Sequence, residues 1–371
     1  MAATQEETIQ RLLAFIAAAG ASDDEFDALA LELFAYQFEH NAPYRQFCRG
    51  RAQTLRTVKR WQDIPAVPIS AFKELTLSCC DPNQAASVFM TSGTTRAGVR
   101  GKSFHPDLRV YDASMLRNFR ERVMHGMQQM RMGVLFPNEQ QMPNSSLAHY
   151  LALAIEHCGT PGSRYLLNDT GVDVAGLRAD LDAACQAQEP YALLGASYSF
   201  VQALDALHDS GHTFQLPTGS LIMDTGGFKG QSRELALDEF YDRLAATFGV
   251  PRERCINMYG MTELSSQFYD NGNQVCPATK SAPHWMRTRV VNPLSGEDVP
   301  HGTRGVLAHC DLAHFNIACT ILTEDAGMLV DDGFLLLGRA DGENAKGCSL
   351  AVEEFLHAAQ AQQVQEQQVQ E

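Results

Sequence analysis

Thr91-Ser92-Gly93-Thr94-Thr95, continuing through Arg96-Ala97-Gly98-Val99-Arg100-Gly101-Lys102-Ser103, gathers hydroxyls, glycines and cations into one short stretch. Small residues let a backbone curl into a concave nest whose N–H groups point at an anion. The hydroxyls add donors, and Arg96, Arg100 and Lys102 add positive charge. The chemistry this suits is phosphate binding. Gly101-Lys102-Ser103 imitates the end of a P-loop, but that pattern needs glycine at position 96, where arginine stands. A polar surface turn is the competing reading; against it, the run directly follows a buried-looking strand, 87–91.

Asn257-Met258-Tyr259-Gly260-Met261-Thr262-Glu263 is a second such stretch, again behind an apolar strand containing Cys255 and Ile256. A carboxylate on the turn after a strand can hold Mg²⁺ against a polyphosphate. Tyr259 offers a flat face to a purine, and Gly260 permits close approach. By itself the stretch also reads as a strand–loop–helix junction with Thr262 as a helix cap. Thr323-Glu324-Asp325-Ala326-Gly327, with Asp332-Gly333 and Gly338-Arg339-Ala340-Asp341-Gly342 beyond it, reads as paired turns. There a carboxylate could accept from ribose hydroxyls and a guanidinium donate. Two plain hairpin turns fit the same residues.

His309, Cys310, His314 and Cys319 are zinc-ligand types. The stretch nevertheless alternates like strands, and Val306, Leu307, Leu312, Phe315 and Ile317 suggest core, so metal binding there stays open. His149 is read either as lining a ligand pocket or as a helix-surface residue.

These residues need elements to place them. Residues 4–60 read as helical, with Leu12, Leu13, Phe15 and Ile16 and then Phe26, Leu29, Leu33, Phe34 and Phe38 at helix spacing. From 107 to 340, short apolar runs (134–136, 192–194, 220–223, 255–258, 305–307) alternate with helical stretches (145–157, 174–188, 197–209, 231–248). That alternation predicts a layered α/β fold with partly parallel sheets. The end, HAAQAQQVQEQQVQE, cannot bury a core and reads as a fraying helix or a disordered tail.

Composition narrows the partners. The chain has 371 residues, with 29 Lys+Arg against 44 Asp+Glu and a net charge of −15. So acidic a surface repels polyphosphate backbones, and nucleic acid is not expected as a partner. An anionic ligand must be held locally, by backbone N–H groups, a bound cation or a few side chains. No apolar run reaches membrane-spanning length, and the N-terminus lacks a basic start, so a cytoplasmic location is expected. Ten scattered cysteines without a CxxC fit reduced thiols.

Taken in order, the three motifs resemble the adenylate-forming superfamily: acyl-CoA synthetases, firefly luciferase and peptide-synthetase adenylation domains. That group's Thr-Ser-Gly-Thr-Thr-Gly loop, Tyr-Gly-x-Thr-Glu turn, Thr-Gly-Asp turn and Gly-Arg-x-Asp hinge match in sequence and order. Four further stretches are similar to the LuxE-type acyl-protein synthetases. They are Phe34-Ala35-Tyr36-Gln37-Phe38 with Asn41 and Tyr44, Ile64-Pro65-Ala66-Val67-Pro68 with Ala71-Phe72-Lys73, Gly226-Gly227-Phe228-Lys229, and Lys346-Gly347-Cys348-Ser349-Leu350. The similarity covers nearly the whole chain.

The resemblance implies the layered α/β fold of the adenylate-forming N-domain, with a helical N-terminal region and a truncated C-terminal lid. One such domain would span 1–338, with 1–60 as its helical region, and 339–371 would be a short remnant and Gln-rich tail. Thr91, Ser92, Gly93, Thr94 and Thr95 would wrap the β- and γ-phosphates of ATP, with Lys102 a further candidate there. Glu263 would ligate Mg²⁺, and Thr262 would donate to the α-phosphate. Gly226, Gly227 and Phe228, with Tyr259 and Gly260, would line the adenine and acyl-adenylate site. Asp325 would hold the ribose, with Arg339 at the hinge beside it.

The implied reaction is attack of a small carboxylic acid on the α-phosphorus of ATP, giving acyl-AMP and pyrophosphate, and then transfer of the acyl group to a thiol. Such transfers rest on positioning and charge neutralisation. An acyl-reductase or acyl-carrier protein is the implied partner. Two departures stand out. Position 96 is Arg where the superfamily has Gly. The lid domain that supplies a catalytic lysine in larger relatives has no counterpart here, and Lys346 is a substitute candidate. Cys348 is read as the acyl carrier, its pKa lowered by a nearby cation, or as a small packing residue. A phenylacetate-type acyl- or aryl-CoA ligase and a non-catalytic nucleotide-binding scaffold are the alternative functions.

Overall fold

The structure, a computed structural model, describes residues 4–91, 99–169, 171–227 and 233–370, with 359–370 described by backbone alone. Its first helices form where the sequence supplies caps. Thr4 and Glu7 exchange hydrogen bonds as a capping box at the start of Gln5–Ala17, and Ser22 and Glu25 do the same for Asp23–His40. Ile9, Leu12 and Ile16 form the buried stripe of the first helix. Gln37 and Asn41 then tie the helical region down: Gln37 Nε2 donates to the His314 and Phe315 carbonyls, and Asn41 Nδ2 to that of Ile317. These are buried polar groups whose partners lie far away in sequence.

The chain divides into two compact units. One comprises Met1–Ser114, Met261–Ser266 and Ala282–Glu371. Within it Met286–Val291, Arg304–Asp311, Thr320–Val330 and Gly333–Arg339 pair antiparallel in chain order, and Val67–Pro68 adds parallel to Ile321–Leu322. Ser87–Met90 pairs antiparallel with Lys102–His105, so the Thr91–Gly101 loop joins two hydrogen-bonded strands.

The other unit comprises Met115–Gly260 and Gln267–Ser281. Its sheet runs Phe268–Tyr269, Cys255–Tyr259, Leu221–Thr225, Tyr191–Ala196, Arg131–Leu135, Arg164–Tyr165. All neighbours are parallel except the Phe268–Tyr269 edge. Tyr191–Ala196 and Leu221–Thr225 are buried along their whole length, which is why they read as continuous apolar runs without alternation. Helices Val174–Ala187, Ser197–Asp209 and Leu237–Phe248 pack Leu181, Phe200, Leu204, Phe240 and Leu244 into this unit's core. The expected layered α/β architecture is therefore present.

One expectation changes, and one pair of alternatives resolves. Thr323–Gly327 is not a turn: it lies within the long strand Thr320–Val330, which pairs with Gly333–Arg339 across a tight connection at Asp331-Asp332. A register shift between Asp325 and Gly327 accounts for the turn-like residue types, because a bulge tolerates what a regular ladder does not. The C-terminal tract is helical: Gly342–Gln370 forms one helix, and its first half buries Cys348, Ala351 and Phe355. Phe355 meets Phe47 with ring centroids 4.5 Å apart, and Arg51 pairs with Glu354.

Candidate active site

In the unit that holds both chain ends, the Thr91–Gly101 connection is fastened at its base. Thr91 N donates to the Gly101 carbonyl and Gly101 N donates back to Thr91 Oγ1, each at 3.0 Å. A Cβ at Gly101 would come within 3.1 Å of Thr91 Cγ2 and 3.4 Å of Phe72 Cβ, so glycine allows this closure. Ser92, Gly93, Thr94 and Thr95, with Arg96, lie outside the described residues. Arg100 and Lys102 are exposed.

Glu263 stands in a different environment from a surface carboxylate. It is 5% exposed, and burial pushes its pKa up to about 7 in spite of the positive charges of Lys73 and Arg339. It forms no ion pair among the described residues. Thr262 beside it is half-buried. Lys73, on the short helix Ala71–Glu74, also has no ion pair among the described residues. In a chain of net charge −15 most arginines of this unit are taken by acids, so Lys73 is a cation left uncommitted near a buried carboxylate. The sequence showed Lys73 within a family-like stretch but gave it no task; its signal is visible only as a distance in three dimensions.

Asp325 and Arg339 are directly opposite each other across the strand pair, with Arg339 Nη1 3.3 Å from Asp325 Oδ1 and 3.6 Å from Glu324 Oε2. Ser70 Oγ donates to Glu324 Oε1. The sheet thus sets Asp325 beside Arg339.

Cys348 departs from the activated thiol. It is 5% exposed, packed with Val291, Val306, Ala308 and Leu322, and its Sγ lies 3.7 Å from the Thr323 carbonyl. Burial, then Glu324, pushes its pKa up to about 11, the opposite of the lowering expected from Lys346. Lys346 itself is exposed and points no charge at the thiol that outweighs burial.

His309, Cys310, His314 and Cys319 are all buried. His309 Nδ1 is 3.0 Å from Thr288 Oγ1, and His314 Nδ1 is 2.9 Å from Ser265 Oγ. Burial pushes both imidazole pKa values down to about 3, so they are neutral. Among the described residues no group of three or more His, Cys, Asp or Glu could hold a metal ion.

In the parallel-sheet unit, the Gly226-Gly227 turn leaves the carboxyl end of Leu221–Thr225, where open α/β sheets place ligands. Gly226 has φ +79°, a conformation that L side chains rarely adopt. Phe228 lies outside the described residues. A buried network stiffens the turn. Ser197 Oγ is 2.7 Å from Asp224 Oδ2 and 3.0 Å from the Thr225 carbonyl, and Thr225 Oγ1 donates to the Met258 carbonyl. Asp224 also accepts from Tyr241 OH and Asn257 Nδ2. Lys280 Nζ donates to Asn257 Oδ1 and pairs with Asp270 at 2.7 Å. Tyr259, 8% exposed, packs with its ring centroid 5.8 Å from that of Phe268, and Gly260 follows it. His149, on Ser146–Cys158, pairs with Glu139 at 2.6 Å.

This fold is the one found in solved acyl-adenylate-forming ligases. The chain resembles solved structures of that class. A 2-hydroxyisobutyryl-CoA ligase bound to its acyl-AMP and CoA matches at TM-score 0.64 and 15% identity, over 85% of this chain and 74% of that one. ATP-bound MatB from Rhodopseudomonas palustris matches at TM-score 0.52 and 17% identity, over 70% of this chain and 49% of that one. At these identities the likeness concerns the fold.

The particular family follows from sequence. The model of the family described as "Acyl-protein synthetase, LuxE" matches residues 17–357, and the chain belongs to that family. It is also similar to the long-chain-fatty-acid–luciferin-component ligase of Vibrio harveyi, 23% identical over 339 residues that cover 88% of this chain and 86% of the relative. No described helix is long and apolar enough to cross a membrane.

Proposed function

We propose that this ligase activates a fatty acid with ATP and Mg²⁺ and then passes the acyl group to a protein thiol. The observation that carries the metal-dependent first half is Glu263. A buried carboxylate with a raised pKa, no ion pair among the described residues and hard oxygen donors fits Mg²⁺. When bound, Mg²⁺ supplies neutralisation of phosphate charge. The remaining work falls to the chain's own groups. Thr91 to Thr95 and Lys102 hold the β- and γ-phosphates by hydroxyl, backbone N–H and ammonium donors. Lys73 adds a positive charge on the Glu263 side. Thr262 donates to the α-phosphate, Asp325 accepts from the ribose with Arg339 fixing its carboxylate, and Gly226, Gly227, Phe228, Tyr259 and Gly260 line the purine. The carboxylate of the acid then meets an α-phosphorus whose charge is already screened.

The fatty-acid substrate is supported by the activity for which the Vibrio relative is named, and the protein acceptor by the name of the family. The first half is tested by acid-dependent ATP–pyrophosphate exchange across short, long and aromatic acids. Exchange with a long-chain acid is expected, and Glu263→Gln should lower it at least about a hundredfold. ATP binding with no exchange for any acid would reduce the protein to a nucleotide-binding scaffold.

For the second half, acyl label that stays on the protein through SDS and is lost in Cys348→Ser supports that carrier. A CoA thioester product would instead assign an acyl-CoA ligase. Because burial keeps the Cys348 thiol protonated, acylation requires the helix Gly342–Gln370 to give the side chain up. An acyl-reductase or acyl-carrier protein would then receive the group.

A further inference from the structure

Asp311 closes the strand Arg304–Asp311 and belongs to none of the sequence motifs. Its carboxylate is completely buried and has no cation as partner among the described residues. Instead Oδ2 accepts from the backbone N–H groups of Ser265 and Ser266, both at 2.8 Å. Oδ1 accepts from Ser266 Oγ at 2.8 Å and from Ala313 N at 3.0 Å. Four donors therefore converge on one carboxylate, and three of them are backbone.

The rest of the knot leaves Ser266 no freedom. Its Oγ lies 2.7 Å from Ser114 Oγ and 3.0 Å from Trp285 Nε1, and Trp285 Nε1 also donates to Ser114 Oγ. Ser265 Oγ is held by His314. Leu264 N donates to the Met261 carbonyl, which closes the turn just before these two serines. The segment 261–266 enters this unit as a short insertion from the rest of the chain, so its conformation must be fixed by contacts of this kind rather than by a helix or strand of its own.

We infer that Asp311 is a positioning residue that fixes the turn carrying Glu263, so that the Glu263 carboxylate is presented to the metal in one orientation. This rests on the reading of Glu263 as the Mg²⁺ ligand. Partners that hold a metal ligand in place change metal affinity by about 10–100-fold when removed. Asparagine at 311 has the carboxylate's shape but must turn its NH₂ toward one oxygen's donors. On the Oδ2 side it meets two backbone N–H groups, and on the Oδ1 side a backbone N–H and a hydroxyl. A backbone N–H cannot reverse, so no orientation satisfies the turn.

The test is the Mg²⁺ dependence of ATP–pyrophosphate exchange in Asp311→Asn, beside Mn²⁺ bound to the enzyme–ATP complex counted by electron paramagnetic resonance. The half-saturating metal concentration should rise about tenfold or more in both measurements, with the KM for the acid unchanged within about twofold. Ser266→Ala, which keeps all three backbone donors, folds more readily and should shift the metal requirement the same way by a smaller factor. An unchanged metal requirement in both variants, or a loss of acid KM and metal affinity together, would overturn the positioning role. A wild-type protein that binds Mn²⁺ with ATP but shows no exchange would remove the reaction and leave the positioning role standing on the binding data. A wild type that binds no metal would remove both.

Discussion

Two buried aspartates lie at or next to the ends of strands beside candidate ligand turns, and they are satisfied in opposite ways. Asp224, in the parallel-sheet unit, accepts only from side chains: Ser197, Tyr241 and Asn257, with Lys280 and Asp270 beyond. Asp311, in the other unit, accepts from three backbone N–H groups and one hydroxyl. Burial pushes both carboxyls from 3.8 up to about 6, so depth and direction of shift are shared. What differs is whether the partners can turn round. A hydroxyl can accept as well as donate; a backbone amide cannot. The same residue type is therefore replaceable at one place and fixed at the other.

The far end of the Asp224 network gives the largest expected effect. Lys280 is 4% exposed and Asp270 1%, and Asp270→Asn leaves a buried ammonium without its counter-charge. A loss of about 3–5 kcal/mol in urea unfolding is expected. Adding Lys280→Met to Asp270→Asn should recover part of it, because the buried ammonium is then gone while the side-chain oxygen still accepts from the Asn257 and Gly272 N–H groups. If the single variant unfolds like wild type, the network is not a cation-dependent one.

Next comes the direct contrast. Asp311→Asn should cost about 3 kcal/mol, because at least one backbone donor is stranded whichever way the amide points. Asp224→Asn should cost under about 1 kcal/mol, since its NH₂ can face the Tyr241 hydroxyl while the carbonyl keeps Ser197 and Asn257. Equal losses at the two positions would break the comparison.

pH sharpens it. The folded state keeps the Asp224 and Asp311 protons up to about pH 6, whereas the unfolded chain releases them near 3.8. Wild type therefore loses stability from these groups as pH rises through that window. Asp224→Asn lacks one such proton and should gain on wild type by up to about 1.4 kcal/mol per pH unit between about pH 4 and 6, then level off. Chemical denaturation across that range measures it; a difference that is flat with pH would mean Asp224 is ionised throughout.

The smallest effects are the single hydroxyls. Ser197→Ala and Ser266→Ala should each cost about 1 kcal/mol, because each carboxylate keeps its other donors. Their functional signatures should separate: Ser197→Ala weakens nucleotide binding through the Gly226 turn, while Ser266→Ala raises the metal requirement through Glu263. Binding titrations with ATP in the presence and absence of Mg²⁺ distinguish the two.

The candidate site residues were legible as residue types in order. The Thr91–Thr95 run follows the strand Ser87–Met90 and Gly260 to Glu263 follows Cys255–Tyr259, whereas Asp325 and Arg339 lie within paired strands. Turn chemistry misled at 323–327, where glycine and acids mark a bulge inside a strand pair rather than a turn. Lys73, Ser197, Asp224 and Asp311 carried no local pattern, since each acts on residues distant in sequence.

By itself, then, the sequence determined the layered α/β fold, the family and the order of the chemical groups, because these depend on hydrophobic period and local backbone requirements. Only the tertiary structure decided which groups are charged, sheltered or held. Cys348 shows this most plainly: its neighbours in sequence left an activated thiol and a packing residue both open, and its neighbours in space, Val291, Val306 and Leu322, keep it protonated and out of water. Desolvation is a property of what surrounds an atom, and no spacing along the chain records it.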